Sequence, residues 1–204
     1  MYDDWERPEV ANLLPTGVKR VLDVGCCLGG FGALLESRGV ETWGIEPNSE
    51  YAAMSDGRMT KVIHGSFPDA APRGEKFDCV TFNDVLEHMS DPIRALLATR
   101  ELLTAEGWVL ASIPNIRHIT VLFNLVVKGR WDYADAGILD RTHMRFFTKA
   151  TMREMFQETG YRVESVTPLA TTRPKGPSRL PVRVLGRRGE EFMVIQYGVL
   201  ARAR

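Results

Sequence analysis

The run VLDVGCCLGGFG (Val21 to Gly32) constrains this chain more than any other feature. Val21 to Val24 is a short, largely β-branched segment that carries an acid, Asp23, and it breaks at Gly25 into a glycine-rich turn. The turn feeds directly into a helical segment, Phe31 to Arg38, which Gly39 stops. Strand, glycine turn and helix in that order open an α/β unit. Glycine there lets the chain turn with positive φ and lets a ligand touch the backbone. The helix start that follows offers free N–H groups, and in open α/β sheets ligands sit at the carboxyl ends of the strands. On its own the turn suits a nicotinamide, a flavin or a sulfonium ligand, or no ligand at all.

The same rhythm continues. Glu41 to Ile45 is read as the second strand, and Pro47 and Asn48 open a helix that Asn48 caps. Lys61 to His64 is the third strand and Cys79 to Phe82 the fourth; Asp91 and Pro92 start a helix through Leu103, and Gly107 leads into a fifth strand, Trp108 to Ile113. Residues 114–147 then form a connection too long for an ordinary βα loop. It contains His118, Asp140, Arg141 and His143 and is read as a substrate cap inserted after the fifth strand. Thr148 to Thr159 is a helix ended by Gly160, with Arg162 to Val166 and Phe192 to Leu200 as the last two strands. Between those strands, residues 168–189 form a Pro-rich loop with Arg173, Lys175, Arg179, Arg183, Arg187 and Arg188 and no acid. Residues 1–204 are read as one α/β domain with helices on both faces of the sheet.

Composition limits the partners. Lys plus Arg and Asp plus Glu are 26 each, so the net charge is zero and the field that draws proteins to nucleic acid is missing. Three cysteines, two of them adjacent, fit neither a disulfide framework nor zinc-ligand spacing, and no metal is expected. The acidic N-terminus has no apolar leader segment, and Ile119 to Val127 is too short to span a bilayer. The expectation is a cytoplasmic protein.

Glu46 ends the second strand in GIEPN, about twenty residues beyond the glycines, where an acid accepts hydrogen bonds from both ribose hydroxyls. NAD and S-adenosylmethionine both satisfy that arrangement. The fourth-strand segment FDCVTFNDVLEHMSDP (Phe77 to Pro92) separates them. With VLDVGCCLGG, GIEPN, HGSF and LLTAEGWVLASIPN it makes an ordered set that resembles the class I S-adenosylmethionine-dependent methyltransferases, in the branch that modifies small molecules and carbohydrates. The resemblance covers nearly the whole chain. It implies a Rossmann-like seven-stranded mixed sheet whose last strand is antiparallel and inserted beside the fifth.

It also implies site residues. Asp23 and Gly25 would lie along the methionine part of the cofactor, Glu46 would hold the ribose, and Ser66 and Phe67 would flank the adenine. Asn83, Asp84 and Val85 would approach its amino group and sulfonium, and Cys26, Cys27, Gly29, Pro47 and His88 complete the cofactor set. The chain departs from the family's pattern at Cys27, where a glycine is usual, and at Ser66, where many members carry an acid. S-adenosylhomocysteine would be the product.

Methyl transfer from a sulfonium needs in-line alignment and, for a hydroxyl acceptor, a base. His64 is read as structural, whereas His143 is the first choice of base, with Asp140 to orient it and His118 as a further catalytic candidate. His143 and Arg145 serve equally well as hydrogen-bonding pins for the cap. Ile119, Leu122, Phe123 and Val126 share one helical face, which either covers the pocket or forms a homodimer contact. Phe146 and Phe147 are placed beneath the cap, Trp131 and Tyr133 are offered for stacking on a substrate ring, and Tyr2 and Trp5 for a lid. The expected activity is methylation of a hydroxyl or amine on a small molecule or saccharide. The competing reading is a cofactor-binding regulatory or partner subunit without catalysis.

Overall fold

Alternation along the inner strands decides the architecture. The computed structural model describes residues 5–173 and 186–203; Tyr2, Lys175, Arg179 and Arg183 lie outside them. In β1 (Arg20–Val24), Val21 packs into one apolar cluster while Leu22 and Val24 pack into another. β4 (Phe77–Asn83) and β5 (Leu103–Pro114) repeat this: Cys79 and Leu110 face the first cluster, and Val80, Phe82, Val109, Ala111 and Ile113 the second. Strands apolar on both faces need a cover on both. On one side Phe31 and Leu35 of α2 (Gly30–Ser37) supply it, with Val10 and Ala11 of α1 (Pro8–Ala11). On the other, Leu96 of α4 (Pro92–Thr99) and Met152, Met155 and Phe156 of α6 (Lys149–Glu158) do so.

With β2 (Glu41–Glu46), β3 (Lys61–His64), β6 (Tyr161–Thr171) and β7 (Val194–Ala203), the strand order is β3-β2-β1-β4-β5-β7-β6. The first five strands are parallel, and β7 enters antiparallel between β5 and β6, the mixed seven-stranded sheet that the resemblance implied. From β1 the chain builds outward through β2 and β3 and then returns to place β4 on the other side of β1. That reversal opens a crevice between the carboxyl ends of β1 and β4. The helix α3 (Ser49–Ser55) starts where the sequence placed it, with the Asn48 side chain accepting from the amides of Glu50 and Tyr51.

Three boundaries differ from the sequence reading. α4 stops at Thr99 instead of reaching Leu103, and β5 begins at Leu103, not at Gly107. The register against β4 shifts between Phe77 and Cys79, and a Cβ on Gly107 would lie 2.8 Å from Leu103 and 2.9 Å from the Thr104 carbonyl. Glycine permits that bulge. β6 continues through Pro168 to Thr171, into the segment read as loop, because β6 is an edge strand where a missing N–H is tolerated.

In the helix α5 (Ile119–Val126) Val121 is the buried side chain; of the stripe read as a pocket cover or a homodimer contact, Phe123 and Val126 are exposed and Ile119 and Leu122 are half-buried. Phe147 is buried beneath the cap as expected, and Trp131 packs edge-on against Phe146 at 5.3 Å between ring centroids. Tyr133 and Trp5 are exposed. No helix among the described residues is long and apolar enough to cross a membrane.

Candidate active site

At the end of β1 the chain makes its turn by pinning Gly25 and Cys26 to one carbonyl: both amides donate to Ile45, at 2.7 and 3.2 Å. Gly25 has φ +73°, and a Cβ there would meet Cγ2 of Val85 at 2.7 Å, so the turn and the loop after β4 close on each other only around a bare backbone. Cys27 also takes a left-handed conformation, φ 50°, in the position where a glycine is usual. Its amide donates to Glu46 Oε2 at 2.9 Å, and the Asn48 amide donates to Glu46 Oε1 at 2.9 Å. Each Glu46 oxygen is thus anchored by one backbone N–H and keeps lone-pair capacity for a further donor. Gly29, φ 78°, is the N-cap of α2.

Asp23 is buried. The Thr81 hydroxyl donates to its Oδ1 at 2.6 Å and the Asn83 amide at 3.3 Å. Burial pushes the Asp23 carboxyl up to about 7; the Thr81 and Asn83 bonds oppose the shift, and the charge of Glu46 adds to it. Among the described residues neither Asp23 nor Glu46 forms an ion pair. Asn83 Oδ1, beside them, is buried with no hydrogen-bond donor among the described residues. Two buried acids and an orphaned acceptor at the strand ends ask for a ligand bearing positive charge and N–H or O–H groups.

The neighbouring residues fall around this cradle. Phe67 meets Phe82 edge-on at 5.8 Å, with Ser66 exposed next to it. Pro47 follows Glu46, and its carbonyl accepts from His64 Nε2 at 3.2 Å, which gives His64 the structural part assigned to it. Cys26 is buried against Ser55, its thiol pushed up by burial, so any contact with a ligand falls to its backbone.

Asp84 has φ 55° and turns away from the cradle's acids. It bonds Arg7 and Gln196, while Arg7 Nη2 donates to Gln196 Oε1 at 2.8 Å, closing a three-residue ring. The Ser112 hydroxyl fixes Asp84 from below, accepting from its amide at 3.0 Å. A cleft of about 560 Å³ lies over this ring, lined by Trp5, Arg7, Pro8, Asp84, Ala170 and Gln196.

Beyond Asp84 lies a second group. Glu87 is 1% exposed, and neither of its carboxylate oxygens has a hydrogen-bond partner among the described residues. Burial, reinforced by the charge of Asp84, holds its carboxyl well above the usual range. The cap docks here: the amides of Met144 and Arg145 donate to the Glu87 carbonyl at 2.8 and 3.0 Å. His88 and His143 face each other with ring centroids 4.7 Å apart. His143 Nδ1 donates to the Ile138 carbonyl at 3.1 Å, and His88 Nδ1 reaches Thr142 at 3.1 Å to the hydroxyl and 3.3 Å to the carbonyl. Burial, and then the neighbouring His143, lowers the His88 pKa.

Two catalytic assignments change. The Asp140 carbonyl accepts from the His143 amide at 3.0 Å, but its carboxylate does not bond the imidazole; it accepts from the Thr142 hydroxyl at 2.6 Å and amide at 2.8 Å, and these bonds outweigh burial and hold the carboxyl below the usual range. Its reach is through Thr142 to His88. His118 is 3% exposed and caps α5, with Nδ1 accepting from the Thr120 amide at 3.4 Å and Nε2 donating to Thr172 at 3.0 Å. Both nitrogens are used, so His118 is a cap and not a group open to substrate. Arg7, Gln196, Ser112 and Glu87 are the residues sequence reasoning missed. Glu87 had a signal in the LEH that follows the fourth strand; the others are brought in by strands and ends far apart in the chain.

Comparison with known proteins bears on family and fold. A family model described as a methyltransferase domain matches residues 7–166. A ubiquinone biosynthesis O-methyltransferase from Thiobacillus denitrificans is 27% identical over 171 residues, 75% of this chain and 68% of that protein. The corresponding protein of Cereibacter sphaeroides is 32% identical over 124 residues, 58% of this chain and 50% of its own length. The chain therefore spans between half and about two thirds of these relatives. Among solved structures, a SAM-dependent methyltransferase from Archaeoglobus fulgidus shares the fold with a TM-score of 0.67 at 19% identity, covering 97% of this chain and 94% of that one. Fold, strand-end cradle and family model together place the chain in the methyltransferase-domain family, as a class I member of the S-adenosylmethionine-dependent kind.

Proposed function

We propose that the protein moves a methyl group from S-adenosylmethionine to a hydroxyl of a small molecule, with the cofactor held in the crevice between β1 and β4. The observation that carries this reading is the pair of buried acids, Asp23 and Glu46, which form no ion pair among the described residues, beside the orphaned Asn83 Oδ1. A ligand with an ammonium, a sulfonium and a ribose diol supplies what those groups lack. The bare Gly25 turn fits too, since Val85 already occupies the space of any side chain there. Ubiquinone biosynthesis O-methyltransferases as relatives favour an oxygen acceptor.

The sulfonium supplies an activated methyl, so the protein's work is to align the acceptor, exclude water and remove a proton. Alignment of this kind contributes roughly 7–11 kcal/mol. In this reading Glu46 fixes the ribose, Asp23 and Asn83 face the amino group, and Phe67 borders the adenine. His143 takes the acceptor's proton. Donation of Nδ1–H to the Ile138 carbonyl sets the tautomer and leaves the Nε2 lone pair for that task. Asp140, through Thr142, holds the facing ring of His88.

Titration calorimetry with S-adenosylmethionine and S-adenosylhomocysteine, followed by a methyl-transfer screen over phenols, sugars and amines, tests the reading. Turnover on hydroxyl acceptors supports it. Binding without turnover on any of them would favour the regulatory alternative, and failure to bind either ligand would overturn it. The calorimetry carries a second readout. Asp23 holds a proton up to about pH 7 in the free protein, and a cation laid against it favours the carboxylate. Binding below that pH is therefore expected to release a proton, and affinity to rise toward neutrality. Equal heats in buffers of different ionisation enthalpy would remove Asp23 from the cation's surroundings.

A further inference from the structure

We propose that Arg7 sets the charge preference of the cofactor crevice: its guanidinium, locked beyond the end of β4, disfavours a charged sulfonium against the neutral thioether that methyl transfer leaves. The inference rests on the methyl-transfer reading above. Distant parts of the chain hold the group in place. Its Nε donates to Glu9 at 2.6 Å, Nη1 to Asp84, and Nη2 to Gln196 at 2.8 Å. Gln196 in turn donates to Asp84, which also accepts from the Ser112 hydroxyl at 3.3 Å. Arg7 and Asp84 both take a left-handed backbone, φ 51° and 55°. For a residue with a side chain that conformation is costly, and it persists where the surroundings over-determine it.

The charge held there is permanent and poorly screened. A guanidinium keeps its proton in proteins, and the Arg7 side chain is 10% exposed. Asp84 follows Asn83, whose amide donates to Asp23 in the cradle. The guanidinium therefore sits against the residue next to one that faces the cofactor. Its field reaches both sides of that turn, where it works against the burial that raises the Asp23 and Glu87 carboxyls. The crevice is graded in consequence: Asp23 and Glu46 draw positive charge at the β1 turn, and Arg7 resists it at the β4 turn.

That gradient acts on the reaction through the charge that changes. As the methyl carbon bonds to the acceptor oxygen, the C–S bond breaks, its electron pair stays on sulfur, and the acceptor's proton passes to His143. The sulfur goes from positive to neutral. A fixed cation nearby raises the energy of the sulfonium more than that of the transition state, in which charge has begun to leave the sulfur. Its effect is therefore felt in the chemical step. Asp84 offsets part of this field, and the ring through Gln196 fixes how much.

Calorimetry with S-adenosylmethionine and S-adenosylhomocysteine, above neutral pH and at one salt concentration, measures the ratio of their dissociation constants. Arg7→Gln is expected to shift that ratio toward S-adenosylmethionine by roughly five- to thirtyfold, the size of one unit charge acting through a partly screened interior. Arg7→Lys keeps the charge and should stay within about twofold of the parent. Asp84→Asn removes the partner's negative charge and should move the ratio the other way. In turnover, Arg7→Gln should lower kcat and KM for S-adenosylmethionine together, as removal of a ground-state penalty does. A merely structural Arg7 would weaken both ligands alike. An unmoved ratio in folded Arg7→Gln overturns the proposal and leaves the methyl-transfer reading standing, as does a ratio that Arg7→Lys shifts equally far. Where Arg7→Gln does not fold, Asp84→Asn decides: a ratio unmoved, or moved toward S-adenosylmethionine, overturns the proposal. A parent protein that binds neither ligand ends both readings.

Discussion

Glu46→Ala is expected to lower affinity for S-adenosylhomocysteine by about 10²–10⁴-fold while the protein stays folded. Each Glu46 oxygen is fixed by a backbone amide at 2.9 Å, so the carboxylate meets a ribose already oriented. Hydrogen bonds to a charged group contribute roughly 1.5–3 kcal/mol each. Losing the two that a diol would make gives about 3–6 kcal/mol, which sets the range above. The variant also releases the Cys27 amide, which lets the left-handed turn relax and adds to the loss. Glu46→Gln keeps the side chain's size and one good acceptor, so its affinity should fall between the two. Calorimetry showing parental affinity in a folded Glu46→Ala variant would end the ribose assignment.

Replacing His143 by alanine is expected to cut kcat by about 10²–10⁴-fold, the usual worth of a general base. Cofactor affinity should change by less than about twofold, because no bond of His143 reaches the β1 turn. The competing reading makes His143 a pin between the cap and the Ile138 carbonyl. His143→Gln separates them, since its amide N–H can still donate to that carbonyl while offering no basic nitrogen. A glutamine variant that regained most of the activity would make His143 a pin. One as slow as alanine, with the acidic limb of the kcat/KM profile lost, would make it a base.

The parts of this site legible in the sequence are those written in consecutive residues. Gly25, Cys27 and Glu46 were found because a strand end, a turn and a capped helix each leave a local pattern; the Cys27 amide bonds Glu46 and the Gly25 amide bonds the neighbouring Ile45 carbonyl. Asn48 was read as a cap for the same reason. The Arg7–Asp84–Gln196 ring was invisible because its bonds join residues 77, 112 and 189 positions apart, and no periodicity relates them. His118 misled for a different reason. It follows a strand end, where active-site groups project, but Thr120 and Thr172 claim both ring nitrogens, and only the second strand pair brings Thr172 near. The surface that α5 meets was not legible because helical spacing identifies a stripe and not its partner: Val121, outside that stripe, is what the domain buries.

The place of β7 also governs the order in which the site can be completed as the chain is made. Among the described residues β6 has β7 as its only neighbour in the sheet, and Gln196 of β7 is one third of the ring around Asp84. A nascent chain that stops short of residue 194 therefore has the strands and turn that form the cofactor cradle. It still has an open edge on β5, an unladdered β6 and an Asp84 lacking one of its partners. Such edges invite pairing with other chains. The turn that carries Asp23 and Glu46 is available early in synthesis, whereas the ring around Asp84 waits for the last ten residues of the sheet.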